Sequence, residues 1–183
     1  VIGSHIVLAL QSIVARRTDP LASAVVSITQ FHAGSAHNVI ADTAMLSGPV
    51  RTLKPEVQDE VQRLLPLIAE TTALAHGAVA TIDYRRGYPP VVNAADPTER
   101  AAAAAARLLG ADKVIRSRPP GMGGEDFSYM AQAVPGCFVR IGQADGARGS
   151  TAVHHPKYDF NDDILPIGAS FWAGLVEQEL AKG

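Results

Sequence analysis

From Ser4 to Arg17 the apolar residues Ile6, Leu10, Ile13 and Val14 recur at helical spacing. Ser4 is the candidate cap and Thr18-Asp19-Pro20 the stop. Ala24 to Phe31 alternates instead, as a strand does. Val26, Ile28 and Gln30 share one face, and Val25, Ser27, Thr29 and Phe31 the other. A turn at Gly34-Ser35 leads into a second strand, Asn38 to Arg51, interrupted at Asp42 and at Gly48-Pro49. Lys54-Pro55 opens a long helix, because proline suits a first turn. Val57, Val61, Leu64, Leu65, Ile68 and Leu74 form its buried stripe, and Pro66 should kink or break it. After Gly77, Ala78 to Tyr84 alternates as a third strand. Helix, strand, strand, helix, strand over residues 1–90 matches a split β-α-β-β-α-β (ferredoxin-like) sandwich lacking its first strand.

Beyond Pro89-Pro90 and Asn93, which read as a linker, the pattern changes. Asp96-Pro97 caps an alanine-rich helix, Thr98 to Leu109, that ends at Gly110. Lys113 to Arg116 reads as a short strand and Pro119 to Gly124 as a glycine-rich loop. Glu125 to Val134 reads as a short helix with acidic residues at its start. Cys137 to Ile141 reads as a buried strand, Gly142 to Val153 as a long loop, and Leu165 to Ala181 as a last helix. Helices alternating with strands predict part of an α/β layer. The expected division is therefore one domain over residues 1–90 and another over 91–183.

Composition narrows the function. The 183 residues carry a net charge of -2 and are 47% hydrophobic, enough for one sizeable core or two small ones. Charges of both signs are mixed along the chain with no basic stripe, which argues against nucleic acid as a partner. The apolar runs fall far short of the ~20 residues a membrane-spanning helix needs, so no membrane partner is expected. Cys137 is the single cysteine, so no internal disulfide forms, which fits a reducing cytoplasm. No signal-peptide pattern opens the chain, and Val1-Ile2-Gly3-Ser4 runs into a helix without an initiating Met. The expectation is a fragment or processed form of a longer protein.

His154-His155-Pro156 stands before an acidic stretch, Tyr158-Asp159-Phe160-Asn161-Asp162-Asp163. Imidazole binds zinc, manganese or nickel, and nearby carboxylates can orient it; on spacing alone, with no His-x-x-x-His or Cys-x-x-Cys partner nearby, a solvated loop with two incidental histidines is the preferred reading. Gly121 to Phe127 is a flexible loop whose backbone N–H groups could receive a carboxylate, or a plain connector. It lacks the Lys-Ser/Thr of a phosphate loop. Asn38 can hydrogen-bond an amide and Arg51 can hold a carboxylate with two bonds; both could also be ordinary turn and surface residues. Cys137 lies in an apolar stretch and reads as core.

Taken together these segments form a pattern. Ala33-Gly34-Ser35-Ala36-His37-Asn38-Val39-Ile40-Ala41-Asp42, followed by Gly48-Pro49-Val50-Arg51-Thr52, resembles the lid-domain signature of the metal-dependent amidohydrolases of the aminoacylase/carboxypeptidase type. That family includes hippurate hydrolase, the N-acyl-amino-acid hydrolases and the auxin-conjugate hydrolases. Gly124-Glu125-Asp126-Phe127-Ser128 and Val153-His154-His155-Pro156-Lys157-Tyr158-Asp159-Phe160-Asn161-Asp162 resemble its two C-terminal motifs, in the family's order. The chain departs from the lid motif at Ala41, where proline is usual, and at Pro49, where threonine is usual.

The resemblance implies a ferredoxin-like lid that also makes a homodimer contact (residues 1–90), then the C-terminal part of a zinc-peptidase-like α/β catalytic domain (residues 91–183). It implies two divalent metal ions in the intact enzyme, with His154 as a metal ligand. Asn38, Arg51, Gly123, Gly124 and Glu125 would lie at the substrate, an N-acyl amino acid or a small peptide. The other ligands and the glutamate base of the family precede the stretch that this chain matches. One imidazole is too few for a stable metal centre. The chain alone is thus expected to be inactive in amide hydrolysis. The competing expectation is a non-catalytic dimerisation or binding fragment.

Overall fold

The computed structural model describes residues 1–146 and 148–180. The chain divides into two compact units. One is Val1–Pro90 together with Gly121–Asp126; the other is Val91–Pro120 with the chain from Phe127 onward.

In the first unit, α1 (Ile2–Ser12) begins two residues before Ser4, and no side chain caps it. It widens into one π-helical turn, Ile13–Arg17, after which Thr18 is extended. The Thr18 hydroxyl donates to the Ile13 carbonyl at 3.0 Å and closes that end. α2 (Pro55–Ala75) runs through Pro66 without a break. The lost backbone bond is tolerated because the buried residues Val61, Leu64, Ala69 and Ala73, on both sides of Pro66, anchor the helix. The core joins Ile6, Leu10 and Ile13 of the first helical segment to that stripe and to Val26.

The two expected strands are four short ones: β1 (Ala24–Val26), β2 (Gln30–Ala33), β3 (Ala44–Ser47) and β4 (Val50–Thr52). β1 pairs antiparallel with β4, and β2 with β3. Between the pairs Val26↔Val50 and Gln30↔Ser47, three residues (Ser27, Ile28, Thr29) face two (Gly48, Pro49). This is a β-bulge, held by Ser27 N–H on the Pro49 carbonyl at 3.2 Å and Thr29 N–H on the Ser47 carbonyl at 2.9 Å. Glycine is obligatory at position 48, where a Cβ would lie 1.8 Å from the Ser27 oxygen. The extra residue shifts the phase by one. Ile28 packs on the core, and Phe31, still 44% exposed, lies on the same side: its cross-strand partner Leu46 packs there and its ring lies over Gly3 of α1. Uninterrupted alternation had put Phe31 on the opposite face.

The expected third strand pairs with no other strand among the described residues. Residues 78–84 do alternate, with Ala78, Ala80 and Ile82 on the core and 79, 81 and 83 exposed, but alternation sets only faces. A ladder needs a partner as well.

In the second unit α3 (Ala95–Leu109) packs against α5 (Leu165–Leu180), with α4 (Phe127–Ala133) between them in sequence. Its core is Ala101, Ala104 and Phe171, flanked by Cys137 and Leu175. α3 starts three residues before Thr98, and the Thr98 hydroxyl bonds the Ala94 carbonyl at 2.6 Å. α4 starts at Phe127 rather than at Glu125. Neither Lys113–Arg116 nor Cys137–Ile141 is a strand: Ala111–Lys113 is a 3₁₀ turn, and 137–141 is extended without a ladder. The Asn93 side chain supplies what a neighbouring strand would. Its Nδ2 donates to the Phe138 carbonyl at 3.0 Å, and its Oδ1 accepts from Phe138 N–H at 2.9 Å.

Candidate functional site

Asn38 and Arg51 do not share a strand. Asn38 is exposed in a turn of the 34–43 connection, where Val39 N–H reaches the Ala36 carbonyl at 3.5 Å. Arg51 is on β4, opposite Val25 and on the face away from Val26 and Val50. Its Nη1 donates to the Met122 carbonyl at 2.5 Å. Arg51 thus meets the diglycine loop within one unit, and its remaining N–H groups keep their capacity for a carboxylate. Gly124 fits where a Cβ would stand 3.1 Å from the Tyr88 ring, whereas Gly123 has open space around it. Glu125 is half-buried beside them. The loop ends before α4, and a helix of seven residues adds little dipole to it.

His154 lies in the second unit. It is the one non-glycine residue with positive φ among the described residues, at 70°. Such a conformation costs of order 1–3 kcal/mol and persists where the surroundings impose it, often at functional sites. The imidazole is exposed, and no described hydrogen bond or ion pair engages it. His155 differs: its Nδ1 accepts from Lys157 N–H at 3.0 Å, so in the neutral ring the proton sits on Nε2. A ring in that tautomer has no free nitrogen lone pair for a metal. Position 155 braces a turn, while the ring of position 154 has no partner among the described residues.

No group of three His, Cys, Asp or Glu able to hold a metal is assembled among the described residues. An imidazole such as that of His154 could supply one donor, and the described residues do not complete a centre. Sequence reasoning missed two further features. One is the Arg51 bond to Met122. The other is Asn161, buried at 4% exposure, whose place ahead of Asp162-Asp163 marks it as a turn cap.

The described residues thus place Arg51 of a bulged hairpin on a glycine-rich loop in the first unit, and an exposed imidazole on a backbone of positive φ in the second. No helix is long and apolar enough to cross a membrane among the described residues. The sequence matches the profile of Peptidase family M20/M25/M40 over residues 5–178, and the chain belongs to that family. It is 36% identical over 186 residues to "IAA-amino acid hydrolase ILR1-like 2" of Arabidopsis thaliana, covering 100% of this chain and 42% of that protein. It is 36% identical over 173 residues to "N-acetylcysteine deacetylase" of Bacillus subtilis (strain 168), covering 94% of this chain and 44% of the other. The crystal structure of the Bacillus subtilis YXEP protein, described as a dinuclear metal binding peptidase of the M20 family, aligns with TM-score 0.72 and 31% identity. That alignment covers 100% of this chain and 46% of that one. The chain thus spans less than half the length of these relatives.

Proposed function

We propose that the protein to which this chain belongs hydrolyses the amide bond of N-acyl amino acids, hippurate-like compounds among them, or of small peptides. The observation that carries the reading is His154, a free imidazole held in a strained backbone inside a family motif. Relatives named as an IAA-amino acid hydrolase and an N-acetylcysteine deacetylase support an acyl amino acid as substrate. Residues 1–90 serve as a ferredoxin-like lid and homodimer contact, and 91–183 as the C-terminal part of the catalytic domain. A cytoplasmic location goes with this reading.

His154 is one ligand of a pair of divalent ions, zinc, manganese or nickel. When bound, such a pair supplies polarisation of the amide carbonyl and a water of lowered pKa. The chain's own residues position the substrate. Arg51 takes the carboxylate with the N–H groups not used on Met122. Asn38 bonds the amide, and the Gly123-Gly124 backbone lies against the substrate with Glu125 beside it.

The test is His154→Ala in the whole enzyme. Bound metal should fall, and hydrolysis of N-acyl amino acids should drop by about a thousandfold, as on losing an essential group. The chain by itself should show no turnover with added manganese, zinc or nickel. Unchanged metal content in the variant would leave a non-catalytic dimerisation or binding role as the better reading.

A further inference from the structure

The loop that carries His154 closes on a polar knot around one buried side chain. Asn161 is 4% exposed. Its Nδ2 donates to the Gln143 carbonyl at 3.0 Å, and its Oδ1 accepts from Asp163 N–H at 3.2 Å. Its own N–H reaches Gln143 Oε1 at 3.5 Å, and its carbonyl accepts from Ile164 N–H at 3.2 Å. Gln143 is gripped a second time, because its Nε2 donates to the Tyr158 hydroxyl at 3.2 Å. Between these anchors the backbone steps through two turns: His155 N–H to the Ala152 carbonyl at 3.3 Å, then Tyr158 N–H to the His155 carbonyl at 2.9 Å. His154, with its positive φ, lies in the first of them.

A buried carboxamide costs free energy unless its bonds are met, and an apolar residue of like size could fill the same space. What the amide adds is geometry: it fixes the distance between position 143 and position 161. We propose that Asn161, acting through Gln143, is the positioning residue of the metal donor His154. The clamp holds the span from 152 to 158 closed and so imposes the left-handed backbone that aims the imidazole. Asn161 itself touches neither metal nor substrate. The inference rests on the reading of His154 as a ligand given above.

The test is a titration of the metal-free whole enzyme with Co²⁺ alone, reading affinity and the visible band of the bound ion. Asn161→Ala removes both side-chain bonds. Asn161→Asp keeps an acceptor for Asp163 but loses the donor to the Gln143 carbonyl, and serves if the alanine variant does not fold. Val61→Ala, in the first unit, controls for general destabilisation. Both Asn161 variants should bind Co²⁺ about 10–100-fold more weakly, the range for outer partners of a metal ligand, and shift the band. Val61→Ala should change neither. Wild-type affinity and band in the Asn161 variants, with His154→Ala impaired, would overturn the positioning role and leave the proposed function standing. Wild-type binding in His154→Ala would remove the proposed function and the positioning role together.

Discussion

The two units bury themselves in different ways. The first closes a core of branched aliphatics, with Ile13 and Val61 fully buried between two helices and a bulged hairpin. The second has alanines and one aromatic, Phe171, as its core. It leaves Ile115 at 77%, Trp172 at 59% and Val176 at 54% exposed. Branched side chains contribute more apolar area per residue than alanines do. An alanine-faced helix lets α5 approach closely but contributes little apolar area of its own. The first unit pairs four short strands and leaves 78–84 without a ladder, whereas the second has no named strand among the described residues. The first unit leaves Leu21 at 93% and Ile40 at 95% exposed as well, so the contrast lies in what each core is built from.

The sharpest way to break this contrast is Phe171→Ala. Emptying so thin a core should cost about 3–5 kcal/mol and strip hydrogen-exchange protection from α3 and α5. Ile13→Ala, in the first unit, should cost about 2–5 kcal/mol yet leave α2 measurably protected. If the Ile13 variant lost protection across its unit more readily than the Phe171 variant did, the contrast would be wrong.

A smaller effect comes from the hairpin. Gly48→Ala forces a Cβ onto the Ser27 carbonyl and should cost roughly 1–3 kcal/mol as the bulge opens. Because the bulge sets the phase of β4, that variant should also free the 121–126 loop from Arg51, seen as faster exchange there. Unchanged exchange in the loop would mean that the bulge does not set Arg51.

The smallest effect is electrostatic. Hydrogen bonds from Arg63 and Arg85 hold the Glu60 and Asp83 carboxyls below their ordinary values. Depressed carboxylates stabilise the fold above their unfolded pKa, and the gain is lost as pH falls through the folded one. Both are exposed, so the acid limb of a stability curve should move only slightly for Glu60→Gln and Asp83→Asn, and less still in high salt.

Residue spacing made the long helices legible, since an apolar stripe of period 3.6 is a local signal. It also made visible the faces of 78–84, and the motifs around Asn38, Arg51, Gly124 and His154 were recognisable as ordered residues. Spacing failed at the bulge, where one extra residue brought Phe31 to the side of α1, and at every strand whose partner no local pattern can name. It failed too at position 161, which reads as a polar loop residue until burial shows that its amide is enclosed.

The sequence by itself determined which stretches are helical, which faces are apolar and which family the motifs belong to, because those depend on near neighbours along the chain. Only the tertiary structure decided that Arg51 rests on the Met122 carbonyl, that His155 is occupied while His154 is free, and that Gln143 is clamped by Tyr158 and Asn161. Those contacts join residues from two to 71 positions apart, and each depends on backbone angles and burial that spacing does not encode.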